Sequence, residues 1–496
     1  MKAALMSRIG KTFLMLCLAS AHLGGMVTGG LSATDLGDPR VIGGYARQYY
    51  RQASEQYGRH GLDRLTDWYS EPHVSENVFN AMLHEAGVSV VFHARLRERQ
   101  GVAAENRHII SVTTEGGQQW HANVFVDSSY DGDLLAQSGA RYTWGRESSA
   151  EYGEPLAGVR PISPQHQFGW PLFAYRDEHR LYPEITANPL GLAGSGDRKV
   201  QAYNFRLVLT DDPADRLPFP RPDGYDPSQL ALLAKYLGEF QSHMKREPTL
   251  RDFFNPVRIP NHKADFNNNG PISTDYIGHS WTYPDASYED KKTIREDHLR
   301  YTQSLLYFLT HDPAVPARLK DQLNAWGLPK DEFQDTAHWP RELYLREGRR
   351  MIGTYVITQW DLQGGWSKPD SIGMGSYNSD SHNVERVAMP DGSVRNEGDM
   401  QVPVQPYEIP YRAIIPRRSE VQNLLVPVCL SASHVAYSSL RMEPQYMIIG
   451  QAAGAAAALA AQGAQPVQDI EVARLQRELL KTGAVLELAG ESAFGP

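Results

Sequence analysis

Cysteine is nearly absent: the 496-residue chain holds only Cys17 and Cys429, both inside apolar runs. Two thiolates cannot hold an iron–sulfur cluster or a Cys-rich zinc ion, so buried free thiols are the expected state. No block of lysine and arginine stands out and the net charge is −9, which argues against nucleic acid as a partner. Long apolar runs are missing as well. The stretch Met447 to Ala461 is interrupted by Gln451 and falls short of the roughly 18–20 apolar residues of a membrane span. There is no HExxH, no GxSxG and no P-loop, so zincin, α/β-hydrolase and NTPase readings lose their main support. GxGxxG is absent too, which taken alone argues against a dinucleotide fold. No repeat or low-complexity tract appears.

What is present is an ordinary globular composition on a chain long enough for more than one domain. The stretch Asn423 to Gly463 organises it. Leu424 to Leu430 reads as a buried strand, Ser431 to Glu443 as a polar loop, and Pro444 opens a small-residue helix. Gly450 and Gly454 are four apart and share a helix face, which permits close backbone approach. A strand, a polar loop and a glycine-bearing helix can present N–H groups to a phosphate or an electron-poor ring. The plain alternative is a packing helix.

The N-terminus has two readings. A basic start, an apolar stretch Phe13 to Ala19 and small residues to Ala21 resemble a secretory signal. Alternatively, Lys2 to Ile9 ends a helix and Thr12 to Leu18 is a strand, a helix–strand step of an α/β sheet. The residues that follow continue the second reading. The compartment stays unassigned, with the cytoplasm favoured and a secreted or periplasmic location left open.

HLGGMVTGGLSATDLGD (22–38) follows, with glycines set among apolar residues, the pattern of an ordered loop that hugs a ligand. Helices are expected over Ile42 to Tyr57 and Ser75 to Ala86, and a strand over Val88 to Leu96. A hairpin is expected from His108 to Thr114 and Gln119 to Val126. Asp127 to Asp133 then leads into a helix, Leu134 to Ser138. Composition shifts near Tyr152 toward Pro, Asp, Asn, Trp and Tyr. This divides the chain into 1–151, an inserted substrate domain 152–405, and 406–496, whose Gln468 to Leu486 is a closing amphipathic helix. Within the insert, helices are expected over Pro227 to Met244, Lys291 to Leu309 and Leu343 to Gln359. Arg346 and Arg349 would share a face with Glu342.

The whole chain resembles the flavin-dependent oxidoreductases of the heterodisulfide reductase A-like kind. The likeness is carried by HLGGMVTGGLSATDLGD, VFVDSSYDGDLLAQSGARYTWGRES, PNHKADFNNNGPISTDYIG, REGRRMIGTYVITQWDL, DSIGMGSYNSDSH and the 423–460 stretch, in family order. It implies an α/β fold with an α+β insert: a Rossmann-like, split FAD-binding domain around a substrate domain. In this likeness Met1 falls inside the first helix, so the first strand and its GxGxxG loop, and an acidic residue after Leu18, are missing. The expectation is a truncated chain that holds FAD poorly, and an N-terminally extended form that is yellow.

By the same resemblance Gly24, Gly25 and Met26 lie along the ribityl and phosphate region, and Arg95, or the neighbouring backbone of His93 and Ala94, approaches adenine. Asp127 and the turn to Asp133 sit beneath the nucleotide, and Ser433 lies near the ribityl chain. The N-terminus of the helix bearing Gly450 and Gly454 faces the flavin ring, where its dipole would stabilise negative charge. Candidate chemistry concentrates in SHVAYSSLRMEP. His434 is a proton carrier or a structural histidine, Arg441 an anion or substrate clamp, and Glu443 its partner or, with Arg441, an ion pair that shapes the loop. His382 is a second candidate, against a plain loop residue. Asp265 and Asn267 to Asn269 could ligate a hard cation, but Asn-Asn-Asn-Gly reads as a turn and no metal is expected. The function expected is transfer of a hydride or electron pair between FAD and a small organic molecule. The alternatives are a carbohydrate-active lyase or hydrolase, suggested by the aromatic and Asn/Asp-rich insert, and a flavin-free remnant.

Overall fold

The computed structural model describes residues 15–17 and 19–488. The expected helix Lys2 to Ile9, the signal-like segment up to Phe13 and Leu14, and Leu18 lie outside them. Two large apolar clusters dominate the described residues.

The first cluster surrounds the Glu443–Gly463 helix. That helix is buried all round, as its alanines require. Small side chains let the Gly44–Glu55 and Val472–Lys481 helices and the Ser371–Gly375 strand pack directly on it. Two short parallel pairs lie nearby: Met15–Cys17 with Ser89–Val91, and Leu424–Leu425 with Phe125–Val126. Among the described residues these pairs are separate ladders. An antiparallel meander, Val102–Glu105, His108–Thr113 and Gln119–His121, links the two regions.

The second cluster belongs to the middle of the chain. Leu207–Thr210 and Phe254–Arg258 flank Lys263–Asn268 in one antiparallel sheet. The Ala231–Met244, Tyr288–His311 and Ala317–Asn324 helices cover it.

Several expectations change. The expected strand Leu424 to Leu430 pairs only over Leu424–Leu425, and the rest is buried irregular chain. The expected polar loop holds a seven-residue helix, His434–Leu440, started by the Ser433 side chain accepting from Ala436 N. Val88 to Leu96 shrinks to Ser89–Val91. Gln119 to Val126 splits, because Phe125–Val126 leaves the meander to pair in parallel with Leu424–Leu425. The closing helix is shorter than expected, Val472–Lys481. The largest change is Leu343 to Gln359. Its arginine spacing imitates a helix face, but the segment is irregular, with a two-residue strand Arg350–Met351 and a helix only from Gln359. Each arginine follows a different acid: Arg346 pairs with Asp275, Arg349 with Asp133 and Asp285, and Arg350 with Glu147 and Glu347.

Candidate active site

The 22–38 loop is ordered and largely buried. Gly24 and Gly25 take positive φ values, +98° and +59°, where a side chain would be strained. Its fixing point comes from the middle of the chain. Asp265, on the Lys263–Asn268 strand, accepts from Ser32 N at 2.8 Å and Ala33 N at 2.9 Å, and pairs with Arg206 Nε at 2.5 Å. Met26 N donates to Tyr130 Oη at 3.2 Å. Asp265 is therefore a clamp for the loop.

Beyond Leu430 the chain enters a closed ionic network. His434 N donates to Glu147 Oε2 at 2.8 Å, and its Nδ1 lies 2.8 Å from Glu347 Oε2. Arg350 joins both acids, with Glu147 Oε1 at 2.5 Å and Glu347 closer still, and also donates to the Ala432 and Gly145 carbonyls. Ser433 Oγ donates to Glu154 Oε1 at 2.7 Å; Glu154 lies at the edge of the closed set, its Oε2 buried without a partner. Burial would raise the Glu147 carboxyl, yet Arg350 and the His434 amide hold it below its ordinary value.

One helix further on, the bonding opens. Arg441 is 2% exposed; its Nη1 donates to Tyr344 Oη at 2.9 Å and its Nη2 to Asp380 O at 2.8 Å. Its expected pairing with Glu443 is not formed. Both carboxylate oxygens of Glu443, both amide atoms of Gln445 and Arg441 Nε are buried without a hydrogen-bond partner. Burial pushes the Glu443 carboxyl up to about 7, with Asp35 adding to it and Arg441 and Arg206 opposing. Tyr50, Tyr130 and Tyr344 all feel its charge, which places Glu443 beside the loop residues that Tyr130 and Tyr50 hold.

Against this group lies a triad from the middle of the chain. His382 Nδ1 is 2.7 Å from Asp275 Oδ2, and Arg346 Nη1 is 2.9 Å from Asp275 Oδ1. His382 Nε2 points toward Asp380, 4.0 Å from Oδ1. Burial, then Arg346, lowers His382 to about 4, so the imidazole is neutral at pH 7. Burial alone would raise Asp275; Arg346 and His382 outweigh it and hold the carboxyl at about 2.

The model of one family, described as FAD dependent oxidoreductase, matches residues 3–479. The chain belongs to that family. Its members have a Rossmann-like FAD-binding fold, and FAD is the cofactor of this oxidoreductase. No curated protein and no solved structure matches the chain. Among the described residues no helix is long and apolar enough to cross a membrane.

The residues present fit the ring end of FAD. Buried polar atoms normally have partners. Arg441, Glu443 and Gln445 leave donors and acceptors unused around the start of the Glu443–Gly463 helix, and the edge of a flavin ring offers complements to both. The other sequence candidates are more committed. Asp127 accepts from Leu135 N, Ser129 N and Ser129 Oγ at 2.8, 3.0 and 2.7 Å, organising the turn to Asp133. Burial leaves its carboxyl raised. Asp133 pairs with Arg349 at 2.8 Å and Lys291 at 3.3 Å, and Arg95 stacks on Tyr288 beside Glu115. Gly450 and Gly454 lie buried in the long helix.

Sequence reasoning missed Asp275, Tyr344, Asp380 and Gln445, and placed Arg346 on a helix. Asp275, Tyr344 and Asp380 are distant in sequence from Arg441, and nothing in their spacing marks them. Gln445 was in view, two residues past Glu443, and its burial is the signal that sequence alone does not carry.

Proposed function

We propose that this FAD-dependent oxidoreductase moves a hydride or electron pair to or from a small organic substrate at the Arg441, Glu443 and His382 cluster. The unpartnered polar atoms of Glu443, Gln445 and Arg441 beside the 22–38 loop carry this reading. Gly24, Gly25, Met26, Ser433 and the first turn of the helix with Gly450 and Gly454 would hold the flavin end of the cofactor. Arg95, Asp127 and Asp133 would shape the nucleotide side. Bound FAD supplies the two-electron acceptor or donor.

The chain's own residues do the rest. Glu443, poised near neutrality, can hold or release a proton at its carboxyl. His382, neutral and bonded through Nδ1 to Asp275, keeps Nε2 as a proton acceptor. Arg441 orients the substrate. His434 is best used as the positioning residue that ties the Ser433 turn to Glu347. Within the family, we place the chain beside the heterodisulfide reductase A-like flavoproteins.

The test is anaerobic bleaching of the flavin-loaded chain by candidate donors, in the wild type and in Glu443→Gln and His382→Gln. Slower bleaching in both variants at unchanged flavin content supports the assignment. Unchanged bleaching in both would remove these residues from the reaction.

A further inference from the structure

The buried charges around Arg441 are not all closed by hydrogen bonds. Arg346, fully buried, has its charge answered by Asp275 at 2.9 Å. His382 is neutral at pH 7. Arg441 is equally desolvated, but both of its hydrogen bonds end on neutral oxygens, the Tyr344 phenol and the Asp380 carbonyl. The nearest carboxylate oxygen, Asp380 Oδ2, is 3.8 Å away and on a side chain that solvent still reaches. Taking a guanidinium out of water without an anionic hydrogen-bond partner is costly, and such groups are normally paired. Here Arg441 keeps its charge without an anionic hydrogen-bond partner, and its Nε–H is unused.

From this we infer that the substrate carries a carboxylate, and that Arg441 binds it. The assignment rests on the cluster being the substrate end of the flavin site. Each Nη of a guanidinium bears two hydrogens, and the bonds described use one on each. Nε–H and a neighbouring Nη–H are therefore both open, the side-on fork that a planar carboxylate accepts in two parallel hydrogen bonds. A guanidinium whose ion-pair partner, Asp380 Oδ2, stands at 3.8 Å and outside hydrogen-bond reach can still take a monoanion. A phosphate dianion would bring a second negative charge close to Asp275 and Asp380, which argues for carboxylate over phosphate. Glu443 supports the choice. Held near neutrality by burial, it can face an incoming carboxylate as a protonated acid, donating a hydrogen bond where an ionised acid would repel.

The experiment titrates the full chain with sodium acetate, sodium phosphate and sodium chloride at matched ionic strength. Two readouts are followed: the flavin difference spectrum of the loaded protein, and the thermal midpoint with and without flavin. Acetate is expected to saturate, to bind more tightly than phosphate, and to exceed any effect of chloride. Arg441→Gln should abolish that binding. Arg441→Lys, which keeps the charge but loses the fork, should weaken it roughly tenfold or more, and it carries the test if Arg441→Gln does not fold. Acetate acting no differently from chloride, phosphate binding more tightly, or either Arg441 variant retaining wild-type affinity would overturn the inference. The two claims fail separately. A flavin-loaded chain blind to acetate loses the carboxylate and keeps its flavin site. A flavin-free chain that acetate stabilises through Arg441 keeps the carboxylate and loses the reading of the cluster as a flavin site.

Discussion

Two buried ionic clusters stand on either side of the His434–Leu440 helix, and they differ in one respect. On the His434 side, Arg350, Glu147 and Glu347 leave no charged atom without a partner. On the Arg441 side, Glu443, Gln445 and Arg441 Nε have none. Both are rich in charge and both are desolvated, so composition and burial do not separate them. Satisfaction does. A closed network holds the fold in register, whereas an open one keeps bonding capacity for something that arrives later.

The comparison breaks most visibly at Arg350. Replacing it with Met strands two buried carboxylates, and chemical unfolding should show a loss of about 5 kcal/mol. A loss near zero would mean that the closed network does not hold the fold.

Glu443→Gln probes the open side and should behave in the opposite way at neutral pH. The unfolded chain releases this proton near 4.5 and the folded chain near 7. Between those values the folded state holds more protons, so stability falls as pH rises through the window and is level above it. Relative to wild type, Glu443→Gln should gain on the order of 3 kcal/mol between pH 4.5 and pH 8, read from denaturant midpoints at each pH. A parallel pair of curves would show that the Glu443 carboxyl titrates normally.

Asp265 supports the open side of the comparison, since the Lys263–Asn268 strand fixes the 22–38 loop through it. Asp265→Asn can keep one oxygen for both amides, which share Oδ2, but removes the charge and the acceptor that face Arg206. About 2 kcal/mol of stability should go, together with flavin affinity measured by equilibrium dialysis. Unchanged flavin affinity would make Asp265 a fold residue only. The smallest effect is expected at Gly25. An added Cβ would lie 2.8 Å from Tyr130 Oη at a φ of +59°, so Gly25→Ala should cost about 1–2 kcal/mol.

Much of the framework was legible in sequence. The Gly44–Glu55, Pro72–Glu85, Ala231–Met244 and Tyr288–His311 helices were found because each carries a long periodic apolar face. The segment 343–358 was misread for the complementary reason. Its arginine spacing matches a helix, but a guanidinium reaches its acid through space, and acids in three separate places pull the backbone out of a helix. The His434–Leu440 helix was missed because its serines and its histidine look like loop residues, and its burial is set by neighbours far along the chain.

Sequence by itself determined the elements with strong local periodicity, the glycine-rich loop, the alanine helix and the family likeness, because each is written in contiguous residues. Only the tertiary structure decided which buried charges close on one another and which stay open. His434 and Arg441 are seven residues apart in one polar stretch, yet one meets Glu347 and the other Tyr344 and Asp380. The physical reason is that partnering depends on distances of a few ångströms between segments far apart along the chain, and local sequence does not encode such distances.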